Sequence, residues 1–153
     1  MKTISWIVIL FVCILVGSVH SAVGQTSNLE GEWVNVDTGT RSLTRLVVSK
    51  AGKAWGIEAW GKCHPTDCVW GATVLTPVGS SVEDFSFTRG FAVWNAGFAT
   101  KYVTLTLNEG RMTVETVTIF RDPSGRANTR NAEGFQRADE RGVGQRINGV
   151  STI

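Results

Sequence analysis

Apolar and polar residues alternate with a period of two along most of the chain after residue 25. Side chains that alternate in this way point to opposite faces of a β-strand, whereas an amphipathic helix repeats every 3.6 residues. The pattern predicts eight strands, at residues 31–37, 42–50, 53–62, 68–76, 84–94, 98–108, 111–121 and 132–138. Short, evenly spaced strands of this kind are typical of an all-β, antiparallel up-and-down meander closed into a small barrel.

The first predicted hairpin turns at residues 51–52, and its register follows from placing the apolar residues of both strands on one face. On the opposite face this register pairs Arg45 with Glu58, which have opposite charges. It also sets Leu43 opposite Trp60, so an apolar patch is expected on the outside of the sheet.

Two further hairpins are predicted from their turn residues. The loop 64–67 sets Cys63 opposite Cys68 and Gly61 opposite Trp70, and the aromatic ring then covers the glycine. A turn at Glu109-Gly110 aligns four cross-strand pairs: Leu105 with Val114, Leu107 with Met112, Thr104 with Glu115, and Thr106 with Thr113.

Residues 84–94 show an alternation that is interrupted once. One apolar face is formed by Phe85, Phe87, Phe91 and Val93. The pair Arg89-Gly90 breaks this face, which indicates a bulge or a bend between two short strands.

The N-terminal segment has the order of a secretory signal peptide. Lys2 supplies a positive charge, residues 6–16 are an unbroken apolar run, and small residues follow up to Gly24. Eleven apolar residues fall short of the roughly 20 that a membrane-spanning helix needs, so an uncleaved anchor is the less favoured alternative. We expect residues 1–24 to be removed, residues 25–138 to form the barrel, and residues 139–153 to be a flexible tail. The protein is then secreted, extracellular or periplasmic, without stable membrane insertion.

The length and net charge of the chain limit the number of domains and the kind of binding partner. The chain has 153 residues, of which 18% are charged, with a net charge of +2. This length suits one small domain, and so low a net charge argues against a nucleic-acid partner.

The segment Lys62-Cys63-His64-Pro65-Thr66-Asp67-Cys68 brings two sulfurs, an imidazole and a carboxylate together. These groups could hold a metal ion, but a structural zinc site needs four ligands and no second Cys/His cluster occurs outside the leader. In an exported protein two cysteines usually pair. We therefore expect a Cys63–Cys68 disulfide, no metal and no cofactor.

Catalytic motifs do not stand out in the sequence. His64 is the one histidine after the leader, and the adjacent carboxylates Glu83-Asp84 and Asp139-Glu140 would point to opposite faces of a strand. The expectation is a binding protein and not an enzyme, with an enzyme of unknown type kept as an alternative.

The motif Leu29-x-Gly31-x-Trp33-x-Asn35 resembles the first strand of avidin-like barrels, and its Gly-x-Trp part resembles the start of lipocalins. The resemblance implies an eight-stranded barrel with a ligand cavity at one mouth. It implies that Asn35 contacts the polar part of a ligand, and that Arg137 packs over Trp33 as a late-strand arginine does in lipocalins. The ligand-binding Tyr and late-strand Asp of avidins have no clear counterparts, so biotin is not implied. Residues 60–68 are also similar to a stretch in secreted bacterial proteins of unassigned function.

The tryptophans are the other candidate binding residues. The register places Trp33, Trp55 and Trp70 on the inner face, where they form the core or line a cavity, and it allows Trp60 and Trp94 on the outside.

From these patterns we expect a secreted, non-enzymatic protein whose barrel cavity or mouth takes a small apolar or ring-shaped ligand. The predicted ligand-binding residues are Asn35, Trp55, Trp70 and Trp94. The second interpretation is a structural protein that forms a homo-oligomer through an outer aromatic sheet face around Leu43 and Trp60.

Overall fold

Eight antiparallel strands form a closed barrel in the computed structural model, which describes residues 29–140. The strands are β1 (Gly31–Asn35), β2 (Leu43–Ala51), β3 (Ala54–Gly61), β4 (Cys68–Val78), β5 (Arg89–Asn95), β6 (Ala99–Asn108), β7 (Arg111–Phe120) and β8 (Thr129–Arg137). Each strand pairs with the next one in sequence, and β8 pairs with β1. The predicted all-β meander is confirmed. The predicted leader and residues 141–153 of the predicted tail lie outside the described residues.

The barrel interior is a packed apolar core. Its largest fully buried side chains come from nearly every strand: Leu29, Trp33, Leu43, Leu46, Val48, Ile57, Leu75, Val103, Leu105, Met112, Val114 and Phe135. Within residues 29–140 no helix is long and apolar enough to cross a membrane.

The β6–β7 hairpin follows the predicted register in all four predicted pairs. Its turn residues, Glu109 and Gly110, have φ angles of 48° and 77°. Two successive residues with positive φ match the right-handed twist of the flanking strands, which explains why Gly is needed here.

The β2–β3 turn is displaced by one residue from the prediction, because Ala51 pairs with Ala54 and the turn is formed by residues 52–53. Gly52 takes φ +61° at the first central position, where Ala51 would carry a Cβ into the left-handed region. Each cross-strand partner therefore shifts by two residues. The faces stay the same, but Arg45 lies opposite Trp60 and not opposite Glu58.

Two β-bulges change the prediction further. The β2–β3 register shifts between Leu43 and Arg45, and this extra residue turns Leu43 into the core, where it is fully buried. The β3–β4 ladder is one residue away from the predicted register at Ile57, which pairs with Thr73. It shifts by one more residue between Ala59 and Trp60, so that Gly61 pairs with Cys68 and not with Trp70.

Strand β5 begins at Arg89, and the predicted strand over residues 84–88 is wrong. The inward residues of β5 are Gly90, Ala92 and Trp94, whereas Phe91 is exposed, so the predicted inner face of this segment is the outer one. A Cβ at Gly90 would lie 2.9 Å from Leu75 Cδ1, so the packed core requires glycine at this inward position.

The loop 79–88 covers one end of the barrel. Ser80 and Ser86 donate backbone and hydroxyl hydrogen bonds to the Asp84 carboxylate, and these bonds hold its pKa below the usual range. The same loop carries Phe87, whose ring meets Trp55 edge-on with centroids 6.1 Å apart. Trp55 therefore packs against the loop at this end of the barrel.

Thr116 is a buried residue of β7 whose hydroxyl has no hydrogen-bond partner among the described residues. An unpaired buried hydroxyl costs free energy, and valine has nearly the same shape without it. We expect Thr116→Val to raise the free energy of unfolding by about 1 kcal/mol, measured by urea denaturation. A matched Thr113→Val change, at an exposed position of the same strand, is expected to shift it by less than about 0.5 kcal/mol. Equal effects of the two changes would contradict the interpretation.

Candidate functional site

Four loops gather at the end of the barrel opposite Phe87. They connect β1 to β2 (residues 36–42), β3 to β4 (62–67), β5 to β6 (96–98) and β7 to β8 (121–128). In an up-and-down barrel every second connection lies at the same end, so the strand order alone brings these loops together. We call this end the mouth.

A cavity of about 500 Å³ opens at the mouth. Its wall includes the aromatic residues Trp70, Trp94 and Phe98 and the cations Arg41, Lys62 and Lys101, with the two cysteines at the rim. Trp94 is at once part of this wall and part of the buried core. The barrel is therefore filled below the mouth, and the space for a ligand lies above the core.

Two tryptophans form the inner wall of this mouth cavity. The rings of Trp70 and Trp94 are 5.9 Å apart between centroids and stand at 79° to each other. Trp94 Nε1 donates a hydrogen bond to the Gly71 carbonyl over 2.9 Å. Trp70 lies directly on Gly61, where a Cβ would come within 2.6 Å of its Nε1 atom. The predicted cover of Gly61 by Trp70 is present, although a bulge changes the ladder pairing.

Lys101 brings a cation to the inner face of the barrel. It pairs with Trp94 across β5 and β6, and its Nζ atom lies 3.4 Å from the centroid of the Trp70 ring. Burial lowers the pKa of Lys101, because desolvation disfavours the ammonium form. The negative face of the Trp70 ring attracts the ammonium group and holds it at the cavity wall.

The mouth cavity has a positive charge balance. Three cations line it, and no Asp or Glu is found among the described residues of its wall. Lys62 has an exposed ion pair with Asp67 at 3.7 Å, and such pairs contribute little in water. An incoming anion would meet cations from β6 and from two different loops.

Asn35 lies at the same end of the barrel but is not part of the cavity wall. It is 3% exposed, and its Nδ2 donates to the Leu43 carbonyl at 2.7 Å and to Glu133 at 2.9 Å. Its Oδ1 accepts a hydrogen bond from the backbone N–H of Asp37. Thr40 also donates to Glu133, at 2.5 Å, so these contacts fasten the β1–β2 loop to β8.

The four predicted ligand-binding residues therefore do not converge on one site. Trp70 and Trp94 share the cavity wall, Asn35 lies beside it in a separate polar cluster, and Trp55 packs at the opposite end of the barrel. The prediction that Trp94 could lie on the outside is wrong, because Gly90 sets the alternation of β5 so that Trp94 points inward.

Lys101 is the functional candidate that the sequence interpretation missed. The buried positions Val103, Leu105 and Leu107 follow it along the inner face of β6 at steps of two. A lysine at the start of such an apolar series could have been recognised from the sequence as a candidate functional residue, because lysine is seldom buried. Arg41 and Phe98 lie in loops, where the alternation of residues carries no information.

The outer patch expected around Leu43 and Trp60 is not present. Leu43 lies in the core, and the Arg45 guanidinium covers the Trp60 ring with its Cζ atom 3.7 Å from the centroid. Exposed apolar side chains on the outer sheet lie elsewhere, at Val74 and at the stacked pair of Phe91 and Tyr102.

The cysteine loop forms a disulfide. Cys63 and Cys68 are bonded across a Cα–Cα distance of 5.5 Å, as the sequence predicts. His64 and Asp67 are exposed in the same loop. Across residues 29–140 there is no group of three or more His, Cys, Asp or Glu side chains that could hold a metal ion.

Comparisons with known proteins return no matching family model, no matching curated protein and no matching solved structure. Arg137 does lie over Trp33, with its Cζ atom 4.5 Å from the ring centroid, as the lipocalin resemblance predicts. The class that these residues define is a small closed β-barrel with a packed core and an aromatic, cationic mouth.

Proposed function

We propose that this protein is a secreted binding protein that holds a small ring-shaped ligand in its mouth cavity. The observation that carries the proposal is the right-angled wall of Trp70 and Trp94 beside a cavity of about 500 Å³. Ligand pockets are typically about 300–1,000 Å³ and combine aromatic surfaces with a few polar groups. A planar ring can pack against this aromatic corner, beside the Lys101 ammonium that lies over the Trp70 ring.

The wall is supported in a way that suits binding. The hydrogen bond from Trp94 to Gly71 links β5 to β4, and the contact of Trp70 with Gly61 links β4 to β3. Side chains that are already held in place lose little conformational entropy when a ligand binds. A preformed aromatic wall therefore binds a ligand at a lower entropic cost than a flexible surface that must first order its side chains.

Secretion is supported by two separate features. The N-terminal segment has the charged, apolar and small-residue order of a signal peptide. The Cys63–Cys68 bridge lies at the rim of the mouth cavity, and such bridges persist in oxidising compartments. These two features support the proposal that the protein is secreted.

Titration with N-phenyl-1-naphthylamine, a neutral fluorescent ring compound, tests the proposal. We expect saturable binding with energy transfer from the tryptophans, and a weakening of about tenfold in Trp70→Leu because the aromatic wall is lost. The matched control is Trp60→Leu, which removes an indole from the outer face and is expected to change the dissociation constant by less than about twofold.

Near-UV circular dichroism of each variant checks that the barrel is folded before binding is measured. Binding that fails to saturate in the wild-type protein would overturn the proposal. Equal weakening by Trp70→Leu and Trp60→Leu would also overturn it, because the mouth would then not be the binding site.

A further inference from the structure

We infer that the ring-shaped ligand carries an anionic acid group, which Lys101 and Arg41 bind at the mouth cavity. This inference rests on the proposed function and specifies the chemical class of the ligand. It is carried by three features of the cavity: the position of Lys101, the charge of the wall, and the placement of the cations relative to the tryptophans.

Lys101 occupies an inward position of β6, where an apolar side chain would be enough to pack the core. The buried neighbours along the inner face of β6 are apolar, and no carboxylate lies within salt-bridge distance of Lys101 among residues 29–140. Partly burying an ammonium group costs free energy unless a counter-charge is supplied. An acid group of a ligand would supply that charge.

The other cations of the wall reinforce Lys101. Arg41 lies in the β1–β2 loop, which the bonds of Asn35 and Thr40 to Glu133 hold against β8. Lys62 lies on the neighbouring β3–β4 loop. Lys62 is paired with Asp67, whereas no Asp or Glu among the described residues lies within salt-bridge distance of Arg41 or Lys101. Cations gathered in a concave site concentrate anions there.

The placement of Lys101 couples charge recognition to ring recognition. Its ammonium group lies against the face of Trp70, which also meets Trp94 edge-on. A ligand ring in contact with this wall therefore brings an attached acid group within reach of the ammonium. A neutral ring can form at most a cation–π contact with these cations, whereas an attached acid group adds a charge-assisted hydrogen bond, so the anionic analogue of a given ring should bind more tightly.

A pair of probes separates these contributions. 1-Anilinonaphthalene-8-sulfonate has the same ring system as N-phenyl-1-naphthylamine and adds one sulfonate. We expect wild-type protein to bind the sulfonate at least about fivefold more tightly than the neutral probe. Lys101→Met, which keeps an unbranched side chain on Trp70, and Arg41→Gln should each weaken the sulfonate about five- to tenfold and change the neutral probe by less than about twofold.

The matched control is Lys53→Gln, which removes the same charge from the exposed β2–β3 turn at the other end of the barrel. It should leave the affinity for both probes unchanged within about twofold, because a separation of more than a Debye length screens exposed charges. Arg41 is exposed, so Arg41→Gln keeps the test decisive if Lys101→Met fails to fold.

The possible failures are distinguishable. Equal affinity for the two probes, or equal weakening of both by Lys101→Met and Arg41→Gln, would overturn the anionic preference and leave the proposed ring binding intact. A loss of sulfonate binding in Lys53→Gln as large as in Lys101→Met would attribute the effect to net charge and overturn the inference. Saturable binding of neither probe would overturn the proposed function and this inference together.

Discussion

Glu133→Ala is expected to lower the free energy of unfolding by about 3 kcal/mol, because three donors at the mouth lose the hydrogen bond that Glu133 accepts. The Glu133 carboxylate accepts hydrogen bonds from Asn35 Nδ2 at 2.9 Å, Thr40 Oγ1 at 2.5 Å and the Leu43 N–H at 3.4 Å. Asn35 and Thr40 are both buried, so water does not readily replace the lost oxygen atoms. Equilibrium unfolding in urea measures the change.

Two variants control this experiment. Glu133→Gln keeps one oxygen acceptor and should cost less, about 1 kcal/mol. Glu58→Ala removes a half-buried carboxylate from the outer face of β3 and should shift the free energy by less than about 0.5 kcal/mol. A loss in Glu133→Ala no larger than in Glu58→Ala would refute the view that this cluster fastens the mouth.

The period-two pattern was sufficient to predict the barrel because errors of an even number of residues do not alter the faces of a strand. The β2–β3 turn shows this, since every partner moves by two residues and yet Val48 and Ile57 remain inside. The β6–β7 hairpin is predicted residue by residue because its turn requires positive φ at Glu109 and Gly110.

Single-residue shifts are what the sequence does not reveal. A β-bulge adds one residue to one strand, so it moves a side chain to the other face without changing the composition of either strand. Leu43 enters the core in this way. In β5 both alternating sets of residues are largely apolar, so the sequence does not show which set faces the core. The tight packing of Gly90 against Leu75 places the set that contains Gly90 and Trp94 inside.

The candidate site was predictable only in part for a related reason. Strict alternation from the buried Leu75 would point Trp70 outward, and the register shift beside Gly71 turns it toward the cavity. The wall that Trp70 forms with Trp94 depends in addition on the face that β5 presents. Asn35 was selected by a short motif, and its hydrogen bonds to Leu43 and Glu133 depend on residues distant in sequence. Loop residues such as Arg41 join the mouth only when the barrel closes.

Trp33→Ala is the core substitution with the largest expected effect, a loss of about 4 kcal/mol in the free energy of unfolding. Trp33 is fully buried, and its Nε1 donates to the Leu29 carbonyl at 2.9 Å. The guanidinium of Arg137 covers the ring and donates to the Glu30 carbonyl. Arg137 also lies where a Cβ of Gly31 would be, 2.5 Å from its Nη1 atom, and Gly31 has φ +132°. The Gly-x-Trp motif and the late-strand arginine thus form one packing unit that closes β1 on β8.

A double-mutant cycle with Arg137→Met tests whether Trp33 and Arg137 act as this unit. We expect a coupling energy of about 1 kcal/mol, because Arg137 has no ring to cover once Trp33 is replaced by alanine. Trp33→Phe keeps a ring in the core but removes the donor to Leu29, so its cost should be smaller, about 1–2 kcal/mol. This variant preserves the test if Trp33→Ala does not fold. A second cycle, which combines Trp33→Phe with Arg137→Met, measures the coupling when a smaller ring lies under the guanidinium. Strictly additive effects of the two substitutions would show that Trp33 and Arg137 contribute independently. Trp33 would then stabilise the protein only through its packing in the barrel core.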